Sequence, residues 1–295
     1  GHINFNVKKA VQLGLRPEQA LKMATIQAAK CYGLHHLGAI APGYQADFVV
    51  MDNLSDMNVL EVYHKGKKII KDEKVEIRPC DPQLKNTVHL LGFRESDLRL
   101  SWREGKVHIL KMLEGQIVTE DVQEEVGYTE EKGRKVFKPD GTYQKIAAVE
   151  RHKNTGKIGV GIVKGFGLRD GAIASSVSHD SHNLIVIGDN DHDMYLAVQE
   201  LLRTQGGYTL VENGQVFDTL PLPIMGLMSD AGYEKVNEKL ARMIPKAHEM
   251  GIPEGFDPFI TLSFMALPVI PEIRITPRGV YLTQEDRMIQ SPFDR

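Results

Sequence analysis

The densest concentration of residues able to do chemistry is the run Ser178-His179-Asp180-Ser181-His182-Asn183, directly before the apolar stretch Leu184-Ile185-Val186-Ile187. Histidine is the side chain that changes charge near neutral pH, and an adjoining carboxylate can orient it or raise its pKa. At the end of a buried strand such groups are held rigidly yet can face a cleft, which suits proton transfer or hydrogen bonding to a small ligand. The alternative is architectural: His179 and Asp180 satisfy buried backbone groups where the strand begins. His192 follows beside a helix start, where Asp191 is expected as the N-cap.

A second candidate is residues 161–171, GIVKGFGLRDG. Gly165 and Gly167 flank Phe166; such glycines let a planar or anionic ligand approach the backbone, and Phe166 could stack on its ring. Equally, the segment reads as a glycine-rich bend with Phe166 in the core. Residues 221–226 and 268–271 carry paired prolines and read as rigid extended connections. Metal chemistry finds no ligand spacing among the scattered His2, His35, His36, His64, His89, His108, His152 and His248. The sequence also has no Gly-x-Ser-x-Gly elbow, phosphate-binding loop or dinucleotide fingerprint.

These residues need elements to hold them. Val7, Ala10, Val11 and Leu13 are spaced for a helix that stops at Gly14. Pro17 sits at the favoured first position of a second helix, with Leu21, Ala24, Ala28 and Cys31 on one face and Gly33 as its cap. Strand chemistry follows at residues 48–51 and 59–63, with a Gly66 turn leading to Ile69 and Ile70, giving a small antiparallel unit. The charged stretch 71–82, with Pro79 and Pro82 around Cys80, reads as a linker. Beyond it the pattern predicts strands at 107–113, 116–118, 146–150, 158–163 and 184–187, and an exposed acidic hairpin over 120–138. Helices are expected over 193–203 and 230–250, the second kinked or split at Pro245. Asn213-Gly214 is a hairpin turn signal.

The 295 residues, 42% hydrophobic and 25% charged, describe a globular chain of about two domains. With 36 Lys and Arg against 39 Asp and Glu, no strong positive field exists to collect phosphates, so neither nucleic acid nor an anionic membrane is an expected partner. Two cysteines without C-x-x-C spacing supply neither a disulfide framework nor a zinc cage and point to a cytoplasmic setting. No apolar run approaches the ~20 residues of a membrane span.

Residues 20–25 (ALKMAT), Ala28-Ala29, Gly33-Leu34, 37–43 (LGAIAPG) and 46–52 (ADFVVMD) resemble the exit of an amidohydrolase-superfamily barrel. Residues 165–168 (GFGL), 171–174 (GAIA), 176–183 (SVSHDSHN), 221–224 (PLPI), 226–229 (GLMS) and 267–271 (LPVIP) resemble the C-terminal domain of the adenine deaminase family. The resemblance implies an α/β and α+β chain. Residues 1–37 would be terminal helices of a (β/α) barrel, 38–78 return strands of its small β-sandwich, and 79–295 a separate α+β C-terminal domain.

It further implies a hydrolytic deaminase in which a binuclear manganese or iron site activates water to attack C6 of adenine, releasing ammonia and hypoxanthine. The superfamily's metal ligands would all lie upstream of Gly1, so none is carried onto this chain, and the upstream catalytic half is an expected partner. A homo-oligomer is expected too. Here His179 and Asp180 would be catalytic, with His182, Asn183, Phe166, Gly165 and Gly167 binding the purine. The competing expectation is a noncatalytic assembly or purine-binding module that keeps the architecture alone.

Overall fold

A computed structural model describes residues 2–69, 79–90 and 92–294, and the chain divides into two compact units, residues 1–78 and 79–295. Ile70 and residues 71–78, most of the expected linker, lie outside the described residues. The first unit opens with α1 (Ile3–Gln12), then α2 (Pro17–Lys22), a π turn (Met23–Gln27) and α3 (Ala28–Cys31). Pro17 does open its helix. Leu21 and Ala24 of the expected face pack inward beside buried Ala20, but in the last turn the buried residue is Ala29 and Cys31 is exposed. The wider π turn admits an extra residue between the two α segments, which displaces the buried position from Ala28 to Ala29. Leu13 falls past the end of α1 and is exposed.

Strands β1 (Phe48–Met51), β2 (Val59–His64) and β3 (Lys67–Lys68) form an antiparallel sheet in that order. Phe48 and Tyr63 face each other across the first pair, their rings 4.5 Å apart. Gly66 turns the chain with Lys65, both at positive φ, so the third strand begins at once, on Lys67 rather than Ile69.

In the second unit, β4 (Val107–Met112), β5 (Thr119–Glu124), β8 (Tyr143–Val149), β9 (Ile158–Lys164), β10 (Gly171–Ser175), β11 (Leu184–Gly188), β12 (Gly207–Glu212) and β13 (Gln215–Pro221) build one eight-stranded sheet. Its order is β13-β12-β10-β11-β8-β9-β4-β5. Six of the seven neighbouring pairs are antiparallel and β4–β9 is parallel. The expected acidic hairpin is two separate structures. Strand β5 pairs with β4 as the sheet edge, and β6 (Tyr128–Glu131) with β7 (Arg134–Phe137) makes a two-stranded ribbon. Residues 116–118 precede the strand rather than forming one, because Gln116 closes a turn onto the Leu113 carbonyl.

Alternation along the strands loads both faces of the sheet. Ile146, Ala148, Ile185 and Ile187 join one apolar cluster with α5 (Tyr233–Glu249), α6 (Pro258–Phe264) and a terminal sheet of β14 (Ile273–Thr276), β15 (Gly279–Leu282) and β16 (Arg287–Ile289). Ala147, Val149, Leu184 and Val186 join the other, with α4 (Asp191–Thr204) and the side chains of Val88, Phe93, Leu98 and Leu100. Helix α5 runs through Pro245 unbroken; buried Met243 and Ala247 on either side anchor it, and this packing outweighs the lost hydrogen bond. The result is a layered α+β unit in which β11, fully buried, carries the 178–183 run at its start.

Candidate functional site

The 178–183 run occupies the connection between neighbouring strands β10 and β11. It is closed on itself: the His182 N–H donates to the Ser178 carbonyl (2.6 Å), and the Ser178 N–H donates to His182 Nδ1 (3.3 Å). An imidazole nitrogen that accepts carries no proton, so neutral His182 holds its proton on Nε2. Burial pushes the His182 pKa down, and its neighbours His179 and Arg151 push it further. At neutral pH this ring is a fixed, uncharged hydrogen-bond donor.

His179 is pinned from the opposite side. Its N–H donates to the Ser263 carbonyl (3.0 Å), its ring stacks on Phe264 with centroids 4.8 Å apart, and it meets the His182 ring edge-on at 5.5 Å. Asp180 stands 3.7 Å from His179 Nδ1 with a side chain 81% exposed. At that separation and exposure the ion pair has little energetic weight, so stacking rather than the carboxylate orients the imidazole. Asn183 is buried; its Oδ1 accepts from the Arg151 N–H (3.3 Å) and its Nδ2 donates to Ser181 Oγ (3.1 Å). Asp180, Ser181 and Asn183 share a cavity of about 320 Å3 with Leu267, Val269 and Thr276. That volume suits a single small heterocycle.

The glycine-rich candidate goes elsewhere. Phe166 has no exposed surface and belongs to the apolar cluster with Met112 and Leu168. Gly165 and Gly167 have φ of 93° and 78°. A Cβ on Gly167 would lie 2.5 Å from the Gly251 carbonyl oxygen, and one on Gly251 would lie 2.4 Å from the Gly167 oxygen. These glycines let two backbones cross, so the bend-and-core reading describes their place, away from the 178–183 loop. Asn190, not Asp191, caps α4 by accepting from the Asp193 N–H (2.8 Å). Asp191 falls in the first turn and pairs with buried Lys145.

The residue that sequence reasoning missed is Arg151, just past β8. It is 1% exposed, and its guanidinium donates to the carbonyls of His182 (2.5 Å), Thr87 (2.9 Å) and Met225 (2.9 Å) and to Thr87 Oγ1 (3.2 Å). Burial lowers its pKa to about 10, so it stays charged at neutral pH. Nothing in the run Ala147-Ala148-Val149-Glu150-Arg151 distinguishes this cation from a solvated strand end.

Of the loop's polar residues Asp180, Ser181 and Asn183 line the cavity, whereas His179 and His182 are not among its lining residues; the carboxylate and amide beside that small space are groups suited to holding a polar heterocycle. Among the described residues no group of three or more His, Cys, Asp or Glu could hold a metal ion. Nor is any helix among them long and apolar enough to cross a membrane.

Residues 2–69 match the amidohydrolase family, which sets the class: a chain similar to hydrolases of that family. The chain belongs to the adenine deaminase C-terminal domain family, which matches residues 116–287. It is 52% identical over 290 residues to an adenine deaminase of Desulfitobacterium hafniense, covering 98% of this chain and 50% of that protein. Adenine deaminases of Petrotoga mobilis (43% over 291 residues) and Nitratidesulfovibrio vulgaris (42% over 285 residues) align with 95% of this chain and 50% and 49% of their own lengths. The chain spans about half the length of the curated relatives it matches.

Proposed function

We propose that this chain forms half of a metal-dependent hydrolytic deaminase that converts adenine to hypoxanthine and ammonia, and that its 178–183 loop completes the purine pocket. The observation that carries the reading is identity across nearly the whole chain to proteins named adenine deaminase. The loop supplies a chemical rationale. A purine edge presents ring-nitrogen acceptors and an exocyclic amine, which a neutral imidazole Nε2–H and a carboxylate complement. Asp180 is exposed, its one charged contact the long 3.7 Å approach to His179 Nδ1, and His182 is held in one tautomer. The residues described here do not fit a binuclear manganese or iron site, and we assign its ligands to the upstream half. What this chain contributes is binding and orientation of the base.

The test uses the protein assembled with the upstream half. His179→Ala and Asp180→Asn should each lower kcat/KM for adenine about ten- to a thousandfold while metal content and the urea midpoint stay unchanged. Intact folding with unchanged kinetics would take the loop out of the pocket and leave the noncatalytic assembly role.

A further inference from the structure

We propose that Arg151 is a positioning residue that fixes the 178–183 loop and couples it to two distant chain segments, residues 84–88 and 222–228. The geometry is the argument. One guanidinium bonds carbonyls from three segments separated by tens of residues in sequence, at His182, Thr87 and Met225. The backbone of Arg151 adds to this: its N–H donates to Asn183 Oδ1, and its carbonyl accepts from the His89 N–H (3.0 Å). The two distant segments also meet directly, the Met225 N–H donating to the Leu84 carbonyl (2.7 Å). Gly226 completes the seat, since a Cβ there would lie 2.9 Å from both terminal nitrogens of the guanidinium.

The cation has no ion-pair partner among the described residues. Neighbouring Glu150 is instead turned into its own tight turn, accepting from the N–H groups of His152, Lys153 and Thr155. A buried charge without a counterion is costly unless dipoles solvate it, and here carbonyl dipoles do so. Lysine is a point charge on a flexible stem and cannot span three fixed acceptors as a planar fork does. The coupling places both the backbone of His182 and a nearby positive charge under the control of one side chain. The structural claim stands alone; only its consequence for deamination rests on the reading above.

Hydrogen exchange and imidazole NMR on this chain test it with Arg151→Lys, which keeps the charge, and Arg151→Gln, which removes it. Both should speed amide exchange about tenfold in 178–183 and in 222–228 together, with 184–187 unchanged. Arg151→Gln should also raise the titration midpoint of His182, and Arg151→Lys should not. Should neither variant fold, Gly226→Ala, which crowds the guanidinium but keeps it, must speed exchange in 178–183. Uniform loss of protection through β8 and β11, or an unmoved 178–183 loop, overturns the proposal. If the loop responds while kcat of the assembled enzyme does not, positioning stands and the functional reading fails.

Discussion

The β1–β3 sheet of the first unit and the eight-stranded sheet of the second are built from similar residues and end in opposite situations. In the first unit Val49, Val50, Val59, Leu60 and Val62 are all exposed, Leu60 at 65%. In the second every residue of β10 and β11 is buried. A strand rich in valine and leucine therefore says that a covering layer is wanted, while the burial says whether the chain supplies one. The first unit has a 500 Å3 apolar cavity between its helices and sheet, with Val7, Leu21, Val49, Met57 and Val62 in its walls. The second fills both faces.

The sharpest way to break this contrast is hydrogen exchange. Amides of residues 7–34 should exchange close to unprotected rates, whereas those of 184–187 should open only with global unfolding, a gap of several orders of magnitude. Equal protection in a dilute monomer would show that the first unit is already complete. Side-chain truncation gives the next largest difference. Phe166→Ala in the filled core should cost about 3–5 kcal/mol by urea unfolding, while Val62→Ala in the open sheet should stay within about 0.5 kcal/mol.

The smallest effect is electrostatic and belongs to the second unit. Burial alone would raise the Glu150 pKa, but the N–H groups of Thr155, Lys153 and His152 and the Thr155 hydroxyl outweigh it and bring it to about 2. A carboxyl with a folded pKa below its ordinary value stabilises fully above the unfolded pKa, 4.5, and this contribution fades as pH falls toward 2. Glu150→Gln should therefore cost about 1–2 kcal/mol at pH 7, after allowance for solvent screening, and nothing below about pH 2. A constant difference across that range would mean that the turn depends on shape rather than charge.

How much was legible follows the same physics. Strand β11 and the apolar stretches 146–149 of β8 and 158–163 of β9 were readable, as was the Asn213-Gly214 turn, where both residues have positive φ, whereas Gln144 and Lys145 hid the first half of β8. Strand β10, GAIAS, hides among glycine and alanine, and β14 carries Arg274. A charged residue in a short strand reads as exposed, yet Arg274 is fully buried, bonded to the Ile117, Pro271 and Ile273 carbonyls and Thr119 Oγ1. The 178–183 cluster announced itself through composition. Arg151 did not, because its burial depends on carbonyls from segments that only the fold brings together. The same dependence misplaced Phe166: glycines that serve a backbone crossing look, in one dimension, like glycines that cradle a ligand.

The single parallel pairing also has a bearing on the order of assembly. Leu110 meets Val163, 53 residues further on, whereas Ile173 meets Leu210 and Ile185 meets Ala148, each separated by 37. Loop-closure entropy rises with that separation, so the β4–β5 hairpin is the costliest part of the sheet to dock. The chain's last segment then acts as a clasp on it. Thr119 donates its N–H to the Pro271 carbonyl and accepts from the Glu272 N–H, and Arg274 reaches Thr119 Oγ1 and the Ile117 carbonyl. In a protein synthesised from its N-terminus, the edge hairpin, complete at Glu124, emerges before the rest of the sheet and waits until some 150 further residues have been made for the segment that fastens it, up to Arg274.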